Sequence, residues 1–104
     1  MTSVVTLTGT STPTPMPDRA GGGVLVQTGG LNLQFDAGRA TSMRLAAIKV
    51  RAHNLDAVFL THHHSDHVAD VGAVLLLAWG TGLPSPVRVI GPKPLRKMIE
   101  SYLD

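Results

Sequence analysis

His62, His64, Asp66 and His67 lie within six consecutive positions of this chain, and side chains of these types can hold divalent metal ions. Imidazole nitrogen and carboxylate oxygen form a borderline-hard donor set that suits Zn2+ first, with Mn2+ or iron possible. His62 and His64 are two apart, so on extended backbone their rings leave on the same side, as two ligands of one ion must. Asp66 and His67 follow in the turn and can address a second ion. Cysteine is absent. A thiolate site and a disulfide framework are thereby excluded, and histidine and carboxylate must carry any metal. A histidine-rich surface tract is the plain alternative. Against it stands the apolar run Ala57-Val58-Phe59-Leu60, a buried strand that would deliver the cluster to a fixed place. The internal position and the interruptions Ser65 and Asp66 exclude an expression tag.

The elements that must position this cluster can be read on either side of it. Val4 to Leu7 reads as a first strand, followed by the loop Ser11 to Gly23, in which Pro13, Pro15 and Pro17 forbid a helix. That loop is either a plain linker or the border of an active-site mouth. Its Gly21-Gly22-Gly23 is no nucleotide cradle, because neither a Gly-Lys-Ser/Thr nor a Gly-x-Gly-x-x-Gly accompanies it. Val24 to Thr28 and Leu31 to Asp36 flank Gly29-Gly30, a good hairpin signal. In the second arm Leu31, Leu33 and Phe35 face one side, Asn32 and Gln34 the other. Asp36-Ala37-Gly38 closes the hairpin, with Asp36 able to cap the next helix.

Ala40 to Arg51 has helical spacing with one polar face, and Arg39, Arg44, Lys49 and Arg51 read as solvated cations in preference to an RNA-binding stripe. Ala52 to Asp56 is a connector. His53 lies at the far end of the following strand, roughly 15 Å from the cluster at about 3.3 Å per residue, too far to ligate the same ion. His63, between two ligand positions, should point away from the metal. Val68 to Trp79 predicts a helix apolar nearly all round, hence buried on more than one side. Gly80 to Pro86 stops it, Val87 to Ile90 is a short strand, and Gly91-Pro92-Lys93-Pro94 opens a last helix carrying Leu95, Met98, Ile99, Tyr102 and Leu103.

At 104 residues the chain suits one modest domain, 1–104, and is too short for two. It is 43% hydrophobic with only four aromatic residues, so the core must be aliphatic. A net charge of +2 is too slight to argue for nucleic acid by itself. The N-terminus lacks the basic and apolar regions of a secretory signal, and no run approaches the roughly 20 apolar residues of a bilayer-spanning helix. No membrane association is expected, and the expected location is the cytoplasm.

The pattern His-x-His-x-Asp-His, read as His62, His64, Asp66 and His67, resembles the signature of the metallo-β-lactamase superfamily. Leu7-Thr8-Gly9-Thr10, Asp36-Ala37-Gly38-Arg39-Ala40-Thr41 and Ile90-Gly91-Pro92-Lys93 extend the resemblance to its ribonuclease Z and metallo-arylsulfatase branch, over nearly the whole chain. The fold implied is α/β (α+β): the N-terminal half of an αββα sandwich, a mixed sheet with flanking helices. The resemblance implies that Asp36 supports the metal loop by hydrogen bonds without ligating. It also implies two zinc ions, one held by His62 and His64 and the other by Asp66 and His67, with Asp66 as the catalytic base that orients the attacking water.

Family members carry a further histidine, a bridging aspartate and a final histidine that have no counterpart here, since His53 and His63 are the only others. The chain is therefore expected to be the first part of a longer enzyme, inactive and weakly zinc-binding when alone. The function implied is a dinuclear zinc hydrolase acting on a phosphodiester, including RNA ends, or on a small-molecule sulfate ester. The alternative is a non-catalytic metal-binding or interaction module that retains half the fold. Lactam or thioester hydrolysis shares the motif but not the flanking resemblance. Half a sandwich leaves an apolar sheet face uncovered, so homo-oligomerisation or self-association of the chain is expected.

Overall fold

The computed structural model describes residues 2–80 and 87–103. The breaker segment expected at 80–86 falls, beyond Gly80, outside the described residues, as do the side chains of Tyr102 and Leu103. Five strands form one mixed sheet in chain order: β1 (Val4–Gly9), β2 (Gly23–Thr28), β3 (Leu31–Phe35), β4 (Ala57–Phe59) and β5 (Arg88–Ile90). β1 pairs antiparallel with β2, and β2 antiparallel with β3. β4 and β5 run parallel to β3, which requires a crossover before each of them. The first crossover carries helix α1 (Thr41–Ala47) and a 3-10 turn over Ala52–Asn54; the second carries α2 (Ser65–Val68) and α3 (Val71–Gly80). Helix α4 (Leu95–Leu103) follows β5. Gly29 and Gly30 close the hairpin with φ of 56° and 78°, the left-handed pair that a two-residue turn matched to strand twist requires.

Strand register sorts the side chains into two faces. Thr6, Leu25, Gln34, Val58 and Val89 lie opposite one another across the five strands. This row faces the helices: Leu25 and Val58 are fully buried with Leu45 of α1 and with Val71 and Val74 of α3. Leu95, Met98 and Ile99 of α4 pack against the margin of that core. The neighbouring row, Leu7, Val24, Phe35, Phe59 and Ile90, is apolar throughout and points the other way. Phe35 stacks on Phe59 with ring centroids 4.8 Å apart, while Leu7 is 67% and Ile90 45% exposed.

The core is not wholly aliphatic. Gln34 occupies its centre fully buried, its amide donating to Thr8 Oγ1 at 3.0 Å and to the Asp36 carbonyl at 2.8 Å. Two helices also differ from expectation. α1 stops at Ala47 because Lys49 turns left-handed (φ 63°), with Lys49 N–H donating to Ala46 O and Val50 N–H to Leu45 O. That pair of bonds is a Schellman closure, built here on lysine where glycine is usual. The run from Val68 breaks at Ala69-Asp70: α2 ends, Asp70 N–H donates to Ala37 O, and α3 begins afresh. Nor is α3 buried on more than one side. Val71, Gly72 and Val74 face the core, while Leu76, Leu77 and Trp79 (81%) are exposed.

Candidate metal centre

The parallel pairing of β3 and β4 sets Phe35 beside Phe59, so the two strands release Asp36 and Thr61 at the same edge of the sheet. Carboxyl ends of parallel strands are where open α/β sheets hold their ligands. Asp36 has a left-handed backbone (φ 62°) and donates its N–H to Phe59 O at 2.7 Å. This conformation is uncommon outside glycine, though aspartate tolerates it better than most residues. It turns the carboxylate toward the metal loop, where Oδ1 accepts from Thr61 N–H at 2.8 Å and Oδ2 from His67 Nδ1 at 2.8 Å. The Thr61 hydroxyl donates to the same carboxylate, at 2.8 Å from Oδ2.

His62, His64 and His67 converge. The His62 ring stands edge-on to His64 with centroids 4.6 Å apart and tilted over His67 at 4.2 Å. Asp66 is buried, and its Oδ2 lies 3.4 Å from His67 Nε2. Asp66 and His67 sit on the single turn of α2, with His64 in extended conformation just ahead of it. Among the described residues, one set of three donor atoms lies mutually within 4.8 Å: it is formed by Asp36, His62 and His67 and includes neither His64 nor Asp66. Asp36 has both oxygens engaged by Thr61 and His67, an arrangement in which a carboxylate could orient a ligating histidine. Nδ1 of His67 donates to it, so in the neutral ring it is Nε2 that carries the lone pair and could hold a metal. Imidazoles with one buried carboxylate and no thiolate are a donor set that fits zinc or another first-row divalent ion.

His63 turns elsewhere: its Nε2 donates to the Pro92 carbonyl at 2.7 Å, tying the loop to the turn before α4. His53 stands at the opposite end of β4, on a shallow polar depression of about 420 Å³ with Asn32, Lys49 and Asp56.

Three supports of the centre were not visible in residue spacing. The first is the cradle beneath α2, where Gly22 N–H donates to Asp66 O at 2.8 Å and Ala37 N–H to His67 O at 2.7 Å. A Cβ on Gly22 would sit 2.8 Å from the His67 ring, so in the loop read as either linker or border of an active-site mouth, Gly22 lets the backbone approach the imidazole. The second is Thr61. The third is Arg39, expected among solvated cations, whose guanidinium donates to the carbonyls of Thr12, Pro13 and Thr14. Prolines cannot donate backbone hydrogen bonds, so a loop rich in them must borrow donors from elsewhere.

Residues 6–96 match the family described as the metallo-beta-lactamase superfamily. The chain is 45% identical over 102 residues to the ribonuclease Z of Mycobacterium marinum, a match covering 95% of this chain and 37% of that protein. The chain thus spans little more than a third of the length of that relative. Among solved structures it is similar to the short form of human tRNase Z, with TM-score 0.87 and 27% identity over 98% of this chain and 39% of the other. It is also similar to the metallo-beta-lactamase fold protein YhfI of Bacillus subtilis, with TM-score 0.83 and 29% identity over 95% of this chain and 40% of that one.

Proposed function

The chain belongs to the metallo-beta-lactamase superfamily, its sheet and helices forming the N-terminal half of that fold, and from this premise we propose that it carries the ligand loop of a metal-dependent phosphodiesterase acting on RNA. The observation that carries the reading is the His62 ring set against both His64 and His67, with buried Asp66 3.4 Å from His67 Nε2 and Asp36 bonded to His67 from behind. In this reading His62 and His64 hold one zinc ion and Asp66 and His67 a second; Mn2+ or iron suits the same donors. When bound, such ions would supply Lewis acidity for activating water and for offsetting charge on the reacting oxygens.

The chain's own residues supply position and proton handling. Asp36 fixes His67 through Nδ1, so its Nε2 is presented without rotation. Asp66, buried on the α2 turn with its backbone carbonyl held by Gly22 N–H, would accept a proton from the attacking water or hold that water in line. His63 keeps the loop anchored to Pro92. The names of the relatives favour an RNA phosphodiester over a sulfate ester as the substrate class. Since the chain spans 37% of the ribonuclease Z it matches, ligands beyond His62, His64, Asp66 and His67 would come from the remainder of the fold. The same shortness favours one second reading: a metal-binding module that does not turn over substrate by itself.

The test is direct. In a polypeptide that supplies the remaining ligands, Asp66→Asn should lower RNA phosphodiester cleavage by orders of magnitude while zinc content falls less. Unchanged cleavage by that variant would remove Asp66 from the chemistry.

A further inference from the structure

We propose that Thr61 is a positioning residue whose hydroxyl relays the Asp36 carboxylate to His62, so that one buried aspartate sets the ring state of two histidines. The inference rests on the reading of His62 as a metal ligand, and it follows from counting protons. Thr61 Oγ1 lies 2.8 Å from Asp36 Oδ2, 3.0 Å from Asp36 Oδ1 and 2.8 Å from His62 Nδ1. A hydroxyl has one proton to give, and a carboxylate offers only acceptors. The Thr61 proton therefore goes to Asp36, and the oxygen lone pair it leaves can only accept. His62 Nδ1 must be the donor of the remaining contact. Its Nε2 is then the bare nitrogen, free to ligate, just as His67 Nε2 is left bare by the direct bond from Nδ1 to Asp36 Oδ2.

The arrangement explains why Thr61 stands where it does. Its N–H is already held by Asp36 Oδ1 at 2.8 Å, so backbone and side chain are clamped by the same carboxylate. The hydroxyl has little freedom to turn from His62. Each link is short, and the sequence separation of 25 between Asp36 and Thr61 is bridged by the parallel register of β3 and β4. A ligating histidine whose other nitrogen is held gains metal affinity, and loss of such a partner costs about ten- to a hundredfold.

The experiment is a long-range nitrogen–proton correlation spectrum of the imidazoles in the metal-free 104-residue chain, in mildly alkaline buffer. His62 should carry its proton on Nδ1. Thr61→Ser, which keeps the hydroxyl, should give the same pattern, while Thr61→Val should move the His62 proton to Nε2 or divide it between the nitrogens. Zinc titration against a chromogenic chelator should show Thr61→Ser equal to the parent chain and Thr61→Val about tenfold weaker or worse. A parent chain with His62 protonated on Nε2 overturns the relay without need of any variant. A Thr61→Val chain with an unmoved tautomer overturns it as well. If zinc is bound neither by the parent chain nor by a polypeptide that supplies the remaining ligands, the proposed function fails, yet the metal-free spectrum still decides the relay.

Discussion

Asp36 takes on a backbone cost to reach its place, since a left-handed non-glycine residue is disfavoured by about 1–2 kcal/mol. The return is three hydrogen-bonded protons on one carboxylate, from Thr61 N–H, the Thr61 hydroxyl and His67 Nδ1. Asp36→Asn tolerates the same backbone but places an amide NH2 where an acceptor is needed. Chelator competition should show zinc affinity at least about tenfold lower, with far-ultraviolet circular dichroism unchanged. Gly22→Ala should also weaken zinc binding, because the added methyl meets the His67 ring at 2.8 Å. At this scale the types and spacing of His62, His64, Asp66 and His67 were legible in the sequence because two-residue spacing on extended chain is a local property. Thr61, Gly22 and Arg39 were not, because their partners lie 25 or more positions away and meet only once the strands pair.

Among the elements, the β2–β3 hairpin was readable from Gly29-Gly30, since that dipeptide encodes its own turn. The bounds of α1 were not. Apolar periodicity runs on to Val50, but the chain leaves the helix at Lys49 through a left-handed residue that no glycine announces. Lys49→Gly should therefore stabilise the fold by roughly 0.5–1 kcal/mol, the left-handed cost less the entropy glycine adds, seen as a higher urea midpoint. A lower midpoint would mean that the lysine side chain contributes more than its backbone costs. The break between α2 and α3 has a tertiary cause: the Asp70 carboxylate accepts from Ser42 N–H at 2.6 Å, capping α1 from another element where Ala40 provides no side-chain cap. Asp70→Ala should cost about 1 kcal/mol in the same denaturation experiment.

For the whole molecule, the mixed sheet with flanking helices is the one the family resemblance implied, and the buried Gln34 is the departure that a purely aliphatic core did not anticipate. The row Leu7, Val24, Phe35, Phe59 and Ile90 presents an apolar sheet face that the described residues leave partly open. Sedimentation velocity over a concentration series should show the chain self-associating, and Leu7→Lys, at a 67% exposed position, should reduce it. A monodisperse monomer throughout would show that this face is tolerated in water. The cluster at the strand ends is tested most directly by zinc K-edge X-ray absorption of the metal-loaded chain. Imidazole nitrogens at about 2.0–2.1 Å, with their ring scattering diminished in His62→Ala and His67→Ala, are the predicted result. A shell of water oxygens alone, or a spectrum that neither substitution changes, would contradict it.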